Sequence, residues 1–499
     1  MKGLAADGGL FLPEEIPIVN DWTDWRDLSY AELAFKILSL YISTEEIPAA
    51  DLKVIIDRSY SKFRAQDITP LVHLQDNLYL AELFHGPSYS FKDCALQFLG
   101  NLFEYFLIRK NQGKKGEDRY HLTVVGATSG DTGSAAIHGL RGKSDVSVFI
   151  LHPKGRISPC QENQMTTVLD ENIYNLAVEG TFDDCQNIVK SLFNDPDTNQ
   201  TIRLGAVNSI NWPRILAQIV YYFRSYFLLV QTSSFNIGDK IKFAVPTGNF
   251  GNVLAGYLAA RMGLPVDRLI VATNENDILD RFWKTGLYEK KPVYGGAAEG
   301  GLELDGVKAH VEGCKETLSV AMDILVSNFA SSNALNEEDS KNQAGQQILI
   351  WFRTLKDTGG FGPVPDKILQ DGRRIFESDR ISDQQTLKTI KSYYKQVGYI
   401  LDPHSAVGVT AAERSIDRTS SHMPHISMST AHPAKFSQAV KLALKDEHGF
   451  DFEKNVLPPE LDQLAQMEKR VINVENSWET VREIIKRQIS KDRRNKSSN

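Results

Sequence analysis

The sequence is poor in the features that mark several protein classes. Its 499 residues include only four cysteines, which are scattered and form no Cys-x-x-Cys pair. This pattern argues against a zinc site or a disulfide framework and is typical of a reducing compartment. No apolar stretch is long enough to span a bilayer, because the longest, residues 215–229, is interrupted by Gln218, Arg224 and Ser225.

The chain also lacks an excess of positive charge. Its formal net charge is −7 at pH 7. Nothing in this balance favours nucleic acid or an anionic membrane surface as a partner, and an anionic substrate would need a local basic site. The N-terminus has no apolar signal-like segment, and Asp7, Glu14 and Glu15 argue against a transit peptide. We therefore expect a cytoplasmic protein.

The order of the predicted elements indicates an α/β fold. The first 75 or so residues read as helical and polar, and beyond them short apolar strands alternate with helices, which predicts a mainly parallel sheet. The predicted strands span residues 121–127, 145–151, 173–178, 242–245 and 269–273. The predicted helices span residues 93–109, 132–140, 182–193, 213–229 and 252–262. Residues 295–306 and 331–342 are predicted to be loops.

Lys92 begins a helix that is apolar on nearly every side, in the string SYSFKDCALQF. Such a helix is buried between layers, so the Lys92 amine would lie inside the molecule. Burial and the positive end of a helix both lower the pKa of an amine, and a neutral amine can attack an aldehyde to form a Schiff base. For a lone Phe-Lys-Asp string, however, a lysine that pairs with Asp93 or reaches solvent is the favoured interpretation.

Two Gly-rich turns follow predicted strands and lead into helices. Residues 123–136 (TVVGATSGDTGSAA) place backbone N–H groups at a helix N-terminus, which suits a carboxylate or a phosphate; a simple capped turn is an equal alternative. In residues 243–256 (FAVPTGNFGNVLAG), Gly248 and Gly251 would let the backbone wrap around a phosphate. This second string is neither a dinucleotide fingerprint nor a Walker loop, and an anion loop is favoured.

A strand that ends in hydroxyl groups is the fourth candidate element of a site. Residues 425–436 (HISMSTAHPAKF) predict a short strand ending at Ser429 and Thr430. A hydroxyl there can line a crevice of an open α/β sheet, although capping of the next turn is favoured for this string alone. Together the four elements supply what a pyridoxal 5′-phosphate (PLP) site needs: a Schiff-base lysine, a phosphate cradle, a carboxylate-binding turn and a polar group for the pyridine nitrogen.

These strings resemble the fungal-type threonine synthase family. The matching segments occur in order along nearly the whole chain, among them DGGLFLPEEIP, ELFHGPSYSFKD, VVGATSGDTGSAA, VPTGNFGN and STAHPAKF. The resemblance implies an α/β fold of PLP fold type II, similar to the tryptophan synthase β-subunit, with two open, mainly parallel sheets flanked by helices. We expect an N-terminal helical region at 1–75, a large PLP-binding domain at 76–126 and 206–450, a smaller α/β domain at 127–205, and a C-terminal helical region and tail at 451–499.

The resemblance also assigns site residues by matching position. Lys92 corresponds to the Schiff-base lysine, which is also the catalytic acid and base, and Thr430 to the hydroxyl that faces the pyridine nitrogen. The cofactor phosphate loop corresponds to Gly248, Asn249, Phe250, Gly251 and Asn252, the last standing where an Asp is common. The implied substrate-binding residues are Ser129, Gly130, Asp131 and Thr132, with His85, Lys154, Arg156, Asn208 and Arg214 as candidates for holding the substrate phosphate. No metal site is implied.

The activity implied by the resemblance is that of a PLP-dependent lyase. It would convert O-phospho-L-homoserine and water to L-threonine and phosphate, the last step of threonine biosynthesis. We expect this small-molecule substrate, no nucleic-acid or membrane partner, and a monomer or homodimer. Two alternatives stay open at this point: a threonine synthase-like phospho-lyase that releases 2-oxobutyrate, ammonia and phosphate, and a catalytically inactive paralogue that binds partners.

Overall fold

The computed structural model describes residues 11–205, 207, 211–232, 235–289, 337–419 and 422–497. Its α-helices are α1 Tyr30–Leu38, α2 Ala49–Tyr60, α3 Asp93–Lys110, α4 Asp131–Leu140, α5 Pro159–Thr166, α6 Phe182–Asn194, α7 Pro196–Ile202, α8 Trp212–Thr232, α9 Gly251–Arg261, α10 Ile278–Thr285, α11 Glu337–Thr358, α12 Asp366–Ile375, α13 Asp383–Val397, α14 Pro403–Thr419, α15 Ser437–Leu444, α16 Phe452–Asn455, α17 Pro459–Gln463 and α18 Trp478–Ser497. Its strands are β1 Leu71–Gln75, β2 Leu78–Glu82, β3 Leu122–Ala127, β4 Val146–Pro153, β5 Ile173–Val178, β6 Leu204–Gly205, β7 Ile241–Pro246, β8 Val266–Thr273, β9 Tyr288–Glu289, β10 Gly360–Phe361, β11 Phe376–Arg380, β12 His425–Ser429 and β13 Ile472–Val474.

The larger of the two main sheets has six strands in the order β1-β2-β12-β7-β8-β11. Only the β1–β2 pair is antiparallel; the other pairs are parallel. Side chains alternate between its two faces, as the strand geometry requires. Val245 belongs to the core that contains residues of the helices α1, α2, α3, α8 and α9, and Ala244 belongs to the core that contains residues of α13, α14 and α15. Both faces are therefore covered, which explains the apolar runs in its inner strands β7 and β8.

The smaller main sheet has five strands in the order β13-β5-β4-β3-β6, and every pair is parallel. Helix α4 packs on one face, and α6 and α18 pack on the other. The edge strand β13 and the helix α18 both come from the C-terminal segment of the chain, so this segment completes the smaller sheet.

Helix α3 lies between the two main sheets, each of which forms one half of the molecule together with the helices that pack on it. Phe98 and Leu102 belong to the core of the large sheet, whereas Leu99 and Phe103 belong to the core around β3 and β4. A helix with apolar residues all around can bury every side only in such a position, so the prediction of a helix between layers is confirmed. Lys92 is the N-cap residue of this helix, and the fold therefore places its side chain where the two halves meet.

Helices α3 and α4 touch through glycine. A Cβ added at Gly139 would lie only 2.5 Å from the carbonyl oxygen of Leu96, and one added at Gly100 would lie 2.0 Å from the carbonyl oxygen of Gly139. Lys92 lies eight residues before Gly100, and Asp131 lies eight residues before Gly139. The crossing therefore fixes how far apart the N-termini of the two helices can be.

The predicted fold class is confirmed, and each predicted strand and helix named above lies within three residues of an observed one at both ends. The predicted loop at 331–342 is wrong for residues 337–342, because these residues belong to α11. Glu338 and Lys341, like the residues of many helices, are good helix formers. The predicted loop at 295–306 lies outside the described residues, and the domain bounds stay a prediction. In the described part of the chain, no helix is long and apolar enough to cross a membrane.

Candidate active site

Three loops of the large sheet meet at one edge, because β2, β12 and β7 are adjacent and parallel. The loop after β2 leads to Lys92, the loop after β12 begins at Thr430, and the loop after β7 contains Gly248 and Asn249. The backbone N–H of Phe91 donates to the carbonyl oxygen of Thr430 at 2.8 Å, which joins the first two loops. In open α/β sheets, ligands bind at this carboxyl edge of the strands.

The smaller sheet contributes the N-terminus of α4 to the same place. Asp131 is the first residue of α4, and its Oδ2 lies 3.7 Å from Nζ of Lys92. The carboxylate of Asp93 accepts instead from the backbone N–H and the hydroxyl of Ser88, at 2.7 and 2.9 Å. The ion pair of Lys92 therefore joins the two halves of the molecule, and it is not the local pair with Asp93 that the isolated string would favour.

Burial lowers the pKa of the Lys92 amine to about 8. The carboxylate of Asp131 opposes this shift, whereas the positive charges of Lys435 and Arg214 reinforce it. A substantial fraction of this amine is consequently neutral near physiological pH, which an exposed lysine would not be. A poised amine of this kind can act both as a nucleophile and as a proton carrier.

Asp131 is bound by a second lysine. The fully buried Lys435 places its Nζ 2.6 Å from Oδ1 of Asp131, and Nε2 of Gln161 donates to the same oxygen at 2.8 Å. Burial acts to raise the pKa of Asp131, but the Lys435 and Lys92 ammonium groups outweigh it and hold the pKa well below its usual value. Asp131 is therefore a carboxylate that lies between two amines.

The turn before α4 depends on Gly130. Its φ is +140°, and a Cβ there would lie 2.4 Å from Cδ of Gln161. The hydroxyl oxygen of Thr128 accepts from the N–H groups of Gly130 and Gly133, at 3.0 and 2.8 Å. These bonds hold Ser129 and Thr132, the other candidates in this turn, on either side of the helix N-terminus beside Lys92. The positive end of that helix suits a carboxylate.

Three protein families match successive parts of the chain. Residues 1–60 match "Threonine synthase N terminus", residues 63–320 match "Pyridoxal-phosphate dependent enzyme", and residues 405–485 match "Threonine synthase, C-terminal". The PLP family description alone covers more than half of the chain, and it includes Lys92, the turn at α4 and the loop after β7. The C-terminal description includes Thr430 and Lys435.

Individual relatives are similar to this chain over nearly its full length. The threonine synthase of Saccharomyces cerevisiae is 51% identical, with 98% of this chain and 95% of the yeast protein aligned. The crystal structure of threonine synthase from yeast matches with a TM-score of 0.89 and 48% identity, covering 98% of this chain and 95% of that one. PLP-bound threonine synthase from Brucella melitensis matches with a TM-score of 0.81 and 37% identity, covering 97% and 95%.

The chain belongs to the threonine synthase family. The predicted family, the PLP cofactor and the lyase activity are thereby confirmed, and neither the phospho-lyase nor the inactive paralogue is favoured. The roles of the individual site residues are a separate matter, and they rest on the geometry of this chain.

The residues of this threonine synthase family member fit PLP. The loop after β7 runs into the N-terminus of α9, the kind of terminus that binds phosphate, and Phe250 anchors it by packing on Trp283 and Phe376. Gly251 begins the helix, and Oδ1 of Asn252 accepts from the hydroxyls of Tyr221 and Tyr222 at 2.7 and 2.9 Å. The buried Nδ2 of Asn252 has no hydrogen-bond partner among the described residues, so a donor is left for a bound group.

Thr430 is buried at the end of β12, where the family would place the hydroxyl that faces the pyridine nitrogen. The preceding residue, Ser429, is fixed by side-chain hydrogen bonds. Its Oγ lies 2.6 Å from Oγ of Ser405, and the hydroxyl of Ser405 donates to the buried carboxylate of Asp402. This chain of hydrogen bonds fixes the strand end on which Thr430 lies. Its contact with the cofactor stays a prediction.

The five candidates for the substrate phosphate lie in different places. Arg214 is buried at the start of α8, and its charge contributes to the low pKa of Lys92. His85 lies on the loop between β2 and α3, with Nε2 2.7 Å from Oε2 of Glu82. Lys154 and Arg156 are exposed after β4, where Lys154 pairs with Glu179, and Asn208 lies outside the described residues. Arg214 and His85 are therefore the better-placed candidates, and all five assignments stay predictions.

Lys435 and Gln161 were not predicted from the sequence as site residues, although both contact Asp131. A signal for Lys435 was present, because a lysine between Ala434 and Phe436, only five residues after Thr430, is unusual in an apolar turn. Gln161 carried no such signal, since a polar residue in the first turn of a helix is ordinary. Only the packing of α5 against α4 brings it to the turn.

The low pKa of Lys92 predicts how PLP binding varies with pH. The apoenzyme captures PLP covalently only through the neutral amine, so the rate of capture should rise with pH through a midpoint near 8 and level off above it. The growth of the visible absorbance band after mixing apoenzyme with PLP at a series of pH values measures this midpoint. A midpoint near 10, the value of an ordinary lysine, would contradict the assignment.

Proposed function

We propose that the Lys92 cluster is the catalytic centre at which this enzyme converts O-phospho-L-homoserine and water to L-threonine and phosphate. One observation carries the proposal: a largely buried amine with a lowered pKa lies beside the α4 turn, at the same sheet edge as the loop after β7 and Thr430. Each part of the substrate and of the cofactor then has a partner of suitable chemistry.

Lys92 carries protons in the proposed reaction. Bound PLP supplies an electron sink that makes the α- and β-protons of the substrate acidic. Nζ of Lys92 takes the proton from the α-carbon and then one proton from the β-carbon, as its pKa near operating pH allows. After phosphate has left, one proton is delivered to the γ-carbon, which becomes the methyl group. Water then adds its hydroxyl at the β-carbon, its remaining proton passes to the released phosphate, and Lys92 returns the proton to the α-carbon. Asp131, held as a carboxylate, stabilises the ammonium form whenever Lys92 carries a proton.

The substrate is held at its two charged ends. The turn of Ser129, Gly130, Asp131 and Thr132 binds the α-carboxylate at the N-terminus of α4. The γ-phosphate leaves as a charged group, so its site needs cationic donors, and we assign Arg214 and His85 to it ahead of Lys154 and Arg156.

The test is a product assay with purified enzyme, PLP and O-phosphohomoserine. Phosphate, threonine and 2-oxobutyrate are followed in the same samples. Phosphate and threonine in equal amounts are the expected result. Phosphate with 2-oxobutyrate would mean that phosphate is eliminated without addition of water at the β-carbon. No phosphate would mean that the cluster does not act on this substrate.

We also propose that the enzyme works in the cytoplasm as a monomer or homodimer, without nucleic acid. The cysteines Cys94, Cys160 and Cys185 are free, as is usual in a reducing compartment. Sedimentation of the purified protein, alone and with added DNA, measures both the oligomeric state and any binding.

A further inference from the structure

Lys435 is the most completely buried cation near the candidate active site. It lies in the 3-10 helix Pro433–Phe436, directly after β12 of the large sheet, with no exposed surface. Its Nζ is 2.6 Å from Oδ1 of Asp131 and donates to the carbonyl oxygen of Ser88 at 2.8 Å. Burying an ammonium group costs free energy of hydration, and only close contacts with groups such as these two can offset that cost.

The contacts of Lys435 cross between the two halves of the molecule. Asp131 begins α4, which packs on the smaller sheet, whereas Lys435 follows a strand of the large sheet. The backbone adds a second link, because the hydroxyl of Ser158, before α5, donates to the carbonyl oxygen of Lys435 at 3.1 Å. Lys435 therefore holds the α4 turn against the strand end that carries Thr430.

Asp131 is shared unequally between its two lysines. The Lys435 contact, at 2.6 Å, is a charge-assisted hydrogen bond, whereas the Lys92 contact, at 3.7 Å, is an ion pair without one. A carboxylate bonded only to Lys92 would hold that amine protonated, and it would also repel a substrate carboxylate at the α4 turn. Both difficulties are removed if a second cation neutralises Asp131 permanently.

We infer that Lys435 is a positioning residue of this reaction: it neutralises and orients Asp131, so that Lys92 can lose its proton and the α4 turn can accept a carboxylate. The inference rests on the proposed roles of Lys92 and the turn. The other charged groups that act on Lys92 are Asp93, on its own helix, and Arg214, at the start of α8. Neither contacts Asp131 as Lys435 does, so neither can replace its effect.

The test is the pH profile of PLP capture by Lys435→Met apoenzyme. Without the second cation, Asp131 acts on Lys92 alone, and the midpoint of capture should move up by roughly one pH unit or more. Capture should be slow at pH 7.5 and should recover to the wild-type rate at alkaline pH. A purely structural defect would not be repaired by raising the pH.

A matched control is available in Lys242. This lysine is also buried, and its Nζ donates to Oε1 of Glu377 at 2.6 Å and to Ser415 at 3.2 Å, near the start of β7 and away from the carboxyl edge. Lys242→Met breaks a buried ion pair of similar geometry. We expect it to lower the thermal stability of the apoenzyme while leaving the midpoint of PLP capture unchanged.

The double variant Asp131→Asn, Lys435→Met keeps the test valid if Lys435→Met alone fails to fold. It removes both charges of the pair, so it leaves no unpaired buried carboxylate, and its midpoint should return towards that of the wild type. An unchanged midpoint in folded Lys435→Met, or equal midpoints in the single and double variants, would overturn the inference. Failure of the wild-type enzyme to capture PLP through Lys92 would instead overturn the proposed function.

Discussion

Lys92→Ala is expected to abolish threonine formation, with a loss of at least about a thousandfold, because the group that takes and returns the α-proton is removed. The same variant should lose the visible absorbance band of the bound cofactor. Lys92 is the lysine whose pKa burial lowers to about 8, and it lies beside Asp131 at the carboxyl edge of the large sheet. The measurements are the steady-state release of phosphate and threonine, and the absorbance spectrum after PLP is added.

Lys92→Arg is the informative companion to this variant. It keeps a positive charge beside Asp131, so it separates the charge of residue 92 from its chemistry. An arginine is not deprotonated in proteins and cannot replace the amine, so this variant should be as inactive as Lys92→Ala while unfolding at nearly the wild-type temperature. A normal absorbance band in either variant would show that another amine holds the cofactor.

Gly139→Ala is expected to damage both stability and catalysis. The new Cβ would meet the backbone oxygen of Leu96 at 2.5 Å, and no side-chain rotation can relieve a contact with backbone. Alanine gains about 1 kcal/mol over glycine in a helix, but overpacking of this kind typically costs about 1–3 kcal/mol or more. We expect a net loss of about 1–2 kcal/mol in the free energy of unfolding.

The effect on catalysis follows from the crossing of the helices. If α3 and α4 move apart at Gly139, Asp131 moves away from Lys92, and a displacement of about 1 Å can reduce the rate up to about a hundredfold. Gly100→Ala should give the same defect from the other helix. Gly126→Ala, where the Cβ would find Val207 at 3.4 Å and Ile150 at 3.7 Å, is the control and should leave both properties nearly unchanged. Loss of stability at full activity in Gly139→Ala would refute the geometric role of the crossing.

The elements of the fold were largely predictable because their signals are local. The strands β4, β5 and β7 are buried on both faces and read as short apolar runs, and α3 is apolar all around. The helical residues 337–342 of α11 were predicted to be loop because residues 331–342 are rich in Ser, Asn and Glu, although Glu and Lys are also good helix formers. Composition does not distinguish these two cases.

The sequence by itself determined the α/β fold, the family and the candidate lysine, because each depends on residue types in a fixed local order. Only the tertiary structure decided which charges act on Lys92. Asp131, Lys435 and Arg214 come from three distant parts of the chain, and they meet because parallel strands end at a common edge and α3 packs against α4 through glycine. Electrostatic effects depend on distance and burial, and neither can be obtained from sequence spacing when the partners come from separate elements of the chain.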